Sequence, residues 1–99
     1  MKKNIFDSYA DAVAEQFHLT LDEMFAKKRR RDITDARQIL YLLCMERPIR
    51  LSDIKRFMSE NGLDLSHSTI IFGYNQAIKK VNEDQDYAHL VEKLKKIDV

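Results

Sequence analysis

Apolar residues recur along most of this chain at intervals of three and four, the spacing that gathers them on one side of an α-helix. Ile5, Phe6, Tyr9, Val13 and Phe17 keep that spacing, with Asp7, Asp11 and Glu15 on the other side, which predicts a first helix from Asn4 to Phe17. Thr20 followed three residues later by Glu23 is a capping-box pair, and it opens a short helix carrying Leu21, Met24 and Phe25. Thr34 or Asp35 is placed to cap a third helix that continues through Ala36 to Glu46 and is stopped by Pro48. Its apolar positions, Ile39, Leu40, Leu42 and Leu43, span so broad an arc that this should be the most buried helix. Ser52 caps a fourth helix reaching Glu60, with Ile54, Phe57 and Met58 inward and Asn61-Gly62 as its stop. Ser66 caps a fifth, whose apolar stripe is Ile70, Ile71, Tyr74, Ala77, Ile78 and Val81. The face left over presents His67, Ser68, Phe72, Asn75, Gln76 and Lys79. A last helix, Asp84 to Ile97, carries Tyr87, Leu90, Val91 and Leu94.

No segment alternates with the period of a strand, and two Gly and one Pro are too few to punctuate an all-β fold. The expected fold class is therefore all-α, five to six helices, in one domain over residues 1–99, a length that supports a single core. Cys44 is the one cysteine, so there is no intramolecular disulfide, and a reducing, cytoplasmic compartment is expected. No apolar run approaches a membrane span and no apolar stretch follows Met1-Lys2-Lys3, so no membrane partner is expected.

Charge changes the picture locally. The net charge is only +1, yet Lys27, Lys28, Arg29, Arg30 and Arg31 stand side by side, with Arg37 following. Five adjacent like charges repel one another, and a polyanion that displaces their counterions relieves the repulsion. The balancing acid lies partly in residues 83–99, with Glu83, Asp84, Asp86, Glu92 and Asp98.

The fourth and fifth predicted helices are joined by a short link containing Gly62, and the second of them begins Ser66-His67-Ser68-Thr69. That is the layout of a helix-turn-helix, whose second helix turns its N-terminal residues to base edges in the major groove. Small hydroxyl residues suit the position because they let the helix approach closely and exchange hydrogen bonds with bases or phosphates. Taken alone, the same pattern also fits an ordinary helical hairpin in which Ser66 is simply a cap.

In combination, these features resemble the C-terminal DNA-binding domain of DnaA, the bacterial chromosomal replication initiator. Lys27 to Leu43, KKRRRDITDARQILYLL, looks like that family's basic loop and the Arg-Gln helix after it. His67-Ser68-Thr69-Ile70 is similar to its Asp-His-Thr-Thr-Val signature, and Val13 to Phe17 followed by Leu21 to Met24 matches the approach to the loop. The likeness spans residues 12–81, with an extra C-terminal helix at 84–97 beyond it. It implies an all-helical, Trp-repressor-like domain binding double-stranded DNA. Carried over residue by residue, it places Arg29 in the minor groove, and Ser66, His67, Ser68 and Thr69 in the major groove. Leu51 and Ser52 would lie near the bases at the start of the preceding helix. Arg37 and Gln38 would lie near the backbone, and Lys27, Lys28, Arg30 and Arg31 would neutralise phosphates.

The chain departs from the family at several points. Ser66 replaces the signature Asp, Leu65 a common Arg and Asp35 a common basic residue, and the stretch from Leu51 to Ser66 is longer. A serine does not reproduce a carboxylate that accepts from cytosine N4, so the family's usual site is not implied. The initiator's ATPase is absent too, since no Gly-x-x-x-x-Gly-Lys-Ser/Thr loop is present. The chain is then an excised domain or a free-standing relative, and a start at Met1 with its own helix favours the second.

Other chemistry is not expected. His18, His67 and His89 lack metal-ligand spacing, so no metal or other cofactor is called for. Ser66, His67 and Ser68 share one helical turn, which leaves no third group to orient a triad, and an enzyme is not expected. Cys44 reads as a small buried hydrophobe, and Gly73 as a point of close helix packing. Phe72 falls on a polar face, which raises a protein partner docked on the fifth helix as an alternative. A dimeric, Trp-repressor-like regulator, using the first and last helices as its interface, is another.

Overall fold

The structure is a computed structural model that describes residues 2–47 and 49–97. Among the described residues the regular structure is entirely helical: α1 (Lys2–Gln16), α2 (Leu21–Met24), α3 (Arg31–Met45), α4 (Leu51–Glu60), α5 (His67–Glu83) and α6 (Gln85–Lys95). The predicted stop at Pro48 lies outside the described residues.

Helix α3 is the axis of the fold. Nine of its fifteen residues are buried, more than in any other helix, and it packs against each of the other five. Ile33, Ala36, Leu40 and Leu43 line one side, and Ile39, Leu42 and Cys44 fill the adjoining arc. On one flank α1 contributes Phe6, Tyr9 and Val13, and the Phe6 ring lies 5.2 Å from that of Phe57 on α4 and 6.2 Å from that of Phe25. On the other flank α5 approaches so closely that a Cβ on Gly73 would stand 2.8 Å from two ring carbons of Tyr41. That contact is inside van der Waals range, so glycine is what permits the approach. Burial also raises the Tyr41 hydroxyl and the Cys44 thiol to about 12, which leaves both groups neutral.

The caps explain most of the boundaries. Thr20 Oγ1 accepts from the Glu23 amide at 3.1 Å while Glu23 accepts from the Thr20 amide at 2.9 Å, the reciprocal pair expected from the sequence. The end of α4 is a Schellman turn. The Leu63 amide donates to Met58 O at 3.0 Å, the Gly62 amide donates to Ser59 O at 2.9 Å, and Gly62 takes φ +91°. Leu63 is buried beside this turn, so the link to α5 is anchored in the core. Ser66 caps α5 by accepting from the Thr69 amide at 3.1 Å, and Asp84 caps α6.

Three expected boundaries are corrected. Helix α3 starts at Arg31 instead of behind a Thr34 or Asp35 cap, because one more turn of helix sinks Ile33 fully into the core. Helix α4 starts at Leu51, with Asp53 rather than Ser52 serving the first turn by accepting from the Arg50 amide at 3.2 Å. Helix α1 begins two residues before Asn4. One position of the predicted α5 stripe also moves. Ile71 is 42% exposed, since the wide arc buried against α3 is centred on Ile70, Gly73 and Ala77.

Candidate nucleic-acid interface

With α3 beginning at Arg31, Thr34, Arg37, Gln38 and Tyr41 fall at helical spacing on a single face. This face is one wall of a groove of about 550 Å³. Lys27, Lys28 and Arg29 form its rim, and the link residues Leu63, Asp64 and Leu65 close one end. Thr69, Phe72 and Gly73 of α5 make the opposite wall. The fold thus brings the basic loop and the first turns of α5, forty residues apart in sequence, to the two sides of one cleft.

The basic run is divided by its surroundings. Arg30 is bound by acid on both sides, donating to Asp32 at 3.2 Å and to Glu23 at 3.4 Å. Arg31 is 93% exposed and reaches only a distant Asp35, 3.9 Å away. Lys27, Lys28 and Arg29 are exposed, and among the described residues they make no ion pair. The uncompensated charge is therefore concentrated on the three cations that rim the groove.

Arg37, expected near the DNA backbone, lines this groove and is engaged by the loop. Its guanidinium is half-buried and faces inward, donating through Nε to Met24 O at 2.7 Å, through Nη1 to Lys28 O at 3.2 Å and through Nη2 to Ala26 O. These carbonyls belong to the end of α2 and the start of the basic loop, where the last helical acceptors lack partners. Burial lowers the pKa of the guanidinium, and the planar fork meets three acceptors at once. Arg37 ties the loop down; it does not project its charge outward.

Gln38 is likewise held within the fold. It is 8% exposed, and its Oε1 accepts from Lys80 Nζ at 2.8 Å, which also donates to Asp35 at 2.7 Å. The Asp35–Lys80–Gln38 cluster links α3 to α5, so Gln38 lies on the groove floor. Asp35, where the family commonly has a base, is neutralised within the fold.

On the far side of α5, Ser52 and His67 border a shallower groove of about 390 Å³ with Lys55, Arg56, Ser59 and Glu60. Ser52, Ser66, His67, Ser68 and Thr69 are exposed and Leu51 is half-buried. Lys55 and Arg56 escape a reading by motif. They stand beside Ser52, but Lys55 bonds Asp64 at 3.2 Å and Arg56 pairs with Asp53 at 3.3 Å while lying 4.9 Å over the Phe57 ring. The first turns of α1 and α5 hold no acidic side chain, whereas those of α2, α3, α4 and α6 each hold at least one. The α5 N-terminus therefore carries its partial positive charge without a first-turn carboxylate beside it.

Phe72 and Thr34 are further groove residues. Phe72 is 63% exposed, the most exposed large apolar side chain among the described residues. Thr34 was hidden in the sequence by the misplaced start of α3, although its spacing from Arg37, Gln38 and Tyr41 carries the signal. Among the described residues no cluster of His, Cys, Asp or Glu is arranged to hold a metal ion. Nor is any helix long and apolar enough to cross a membrane.

No solved structure matches the chain. The family model for the bacterial DnaA protein helix-turn-helix matches residues 7–80, about three quarters of the sequence. That span includes the basic loop, α3, α4, α5 as far as Lys80 and every residue lining the larger groove. The chain belongs to the bacterial DnaA helix-turn-helix family, a family of DNA-binding domains.

Proposed function

We propose that this domain binds double-stranded DNA sequence-selectively, in replication initiation or its regulation, and performs no catalysis. The first turn of α5 enters the major groove with Ser66, His67, Ser68 and Thr69 towards base edges. The loop places Arg29 in the adjacent minor groove, and Lys27 and Lys28 neutralise phosphates, with Arg30 and Arg31 contributing from the α3 terminus. Leu51 and Ser52 lie at the edge of the same surface. One observation supports the reading: three cations that make no ion pair among the described residues share one groove with Thr69 of the first turn of α5. A duplex laid there meets both elements together, and the sugar–phosphate strand between its two grooves fits along the cleft. In B-DNA such a strand separates a readable major groove from a narrower minor groove that attracts arginine.

The test is fluorescence anisotropy with a duplex pool of random sequence, followed by selection of the bound fraction. Arg29→Ala and His67→Ala should each weaken binding to the selected site, and affinity should fall by about 0.9 log unit per log unit of salt for every phosphate neutralised. Unchanged affinity in both variants would overturn the assignment. The exposed pair Ile71 and Phe72 favours a second reading, a protein-docking module that kept the fold and lost DNA reading. Retention on a DNA resin separates the two.

A further inference from the structure

We propose that Phe72 is a specificity-determining residue that reads the 5-methyl group of a thymine in the major groove; this rests on the DNA-binding reading above. Phe72 lies four residues after Ser68 and three after Thr69, one helical turn further along the face those residues present. It forms the α5 wall of the groove rimmed by Lys27, Lys28 and Arg29. A phenylalanine 63% exposed, sharing a groove with three cations that make no ion pair among the described residues, is poorly placed for the core and well placed for a polyanion's edge. The phosphate strand drawn to the cations passes along the groove, and the ring then stands just inside that strand, at the level of the base edges.

A phenyl ring neither donates nor accepts a conventional hydrogen bond, so polar base edges give it nothing. Among the four base pairs only those containing thymine present an apolar group in the major groove, the C5 methyl. Against it the ring loses water on both sides of the contact, and the flanking Ser68 and Thr69 hydroxyls remain available for neighbouring polar atoms. Ser66, in place of an acidic residue, cannot take a cytosine amino group with a carboxylate's discrimination. An apolar contact one turn later supplies pyrimidine selectivity by other means.

The test uses the selected duplex with each thymine replaced singly by deoxyuracil, which removes the methyl group and keeps every hydrogen-bonding group. Burial of one methyl group corresponds to about a fourfold change in affinity. The parent protein should therefore bind about fourfold more weakly when one particular thymine is replaced. Phe72→Ala should bind the thymine and uracil duplexes equally at that position, with an unchanged salt slope, and Phe72→Leu should restore part of the difference. The exposed position of Phe72 means these substitutions leave the core intact. Three results would overturn the proposal: selected sites with no thymine preference, no effect of uracil on the parent, or a thymine–uracil difference that persists in Phe72→Ala. Failure of the parent to bind any duplex would instead overturn the DNA-binding reading, and so marks a separate outcome.

Discussion

Replacing Arg37 by lysine separates its two conceivable roles, because lysine keeps the charge and loses the fork. In the structure the guanidinium makes three hydrogen bonds to the carbonyls of Met24, Ala26 and Lys28. A compact ammonium reaches one or two of them, and alanine reaches none. Hydrogen bonds from a charged donor contribute about 1.5–3 kcal/mol. The carbonyls are at the surface end of α2 and become hydrated when released, so about 1.5–3 kcal/mol is a fair figure for the whole clamp rather than for each bond. If the loop must hold this conformation to reach the minor groove, the binding-competent fraction falls by about 10- to 150-fold. Anisotropy titrations between 50 and 200 mM salt, on the order of the range where counterion release is resolved, give both affinity and salt slope. Arg37→Lys should bind nearly as weakly as Arg37→Ala, and amide exchange over residues 24–30 should quicken in both. A phosphate-neutralising Arg37 behaves differently: lysine would substitute for it, and alanine would lower the salt slope by about 0.9. That pattern, with the loop amides as slow as in the parent, would refute the clamp.

Other consequences follow from single contacts. Gly73→Val should destabilise the fold by about 1–3 kcal/mol in urea unfolding, because the new side chain overpacks against the Tyr41 ring. DNA affinity should fall with it, since α5 is pushed away from α3. His18 is the one described non-glycine residue with positive φ, +56°, at the Schellman-type end of α1 where Leu19 N donates to Ala14 O at 2.8 Å. His18→Gly should therefore raise stability by about 0.5–1 kcal/mol, the left-handed penalty less the added unfolded-chain entropy. Asp53 should contribute to acid sensitivity. The Lys2 ammonium, the Arg50 amide and Arg56 hold its carboxyl below the usual carboxylate range. A depressed folded-state pKa gives stabilisation that is fully present above the ordinary carboxylate pKa of about 3.9 and is lost as pH falls from there through the lower folded-state pKa. Asp53→Asn should flatten the decline in thermal midpoint as pH falls below about 5.

The helices and their order were legible in the sequence, as were the caps at Thr20, Ser66 and Asp84, but not those of α3 and α4. Apolar spacing of three and four, the Thr20–Glu23 pair and the Asn61-Gly62 stop are local signals, and local hydrogen bonds and burial carry them out. It also determined the family, through the order of the basic loop and the Ser66–Thr69 turn. What it left undecided was which charges face outward. Lys27 to Arg31 are chemically near-equivalent in a string of letters, and only packing separates the three at the groove from Arg30, which is held by Asp32 and Glu23. Arg37 and Gln38 were assigned to the DNA backbone through the family resemblance alone. Where α3 starts, however, depends on Ile33 finding a pocket among distant helices. Once it does, their side chains rotate onto the loop carbonyls and onto Lys80, forty-two residues past Gln38. The close approach of α5 to α3 beside the groove depends on Gly73 against Tyr41, a contact between residues thirty-two positions apart. Local sequence can specify an element's hydrogen bonds, but the depth of a cleft and the direction of its charges depend on which remote side chains the core brings together.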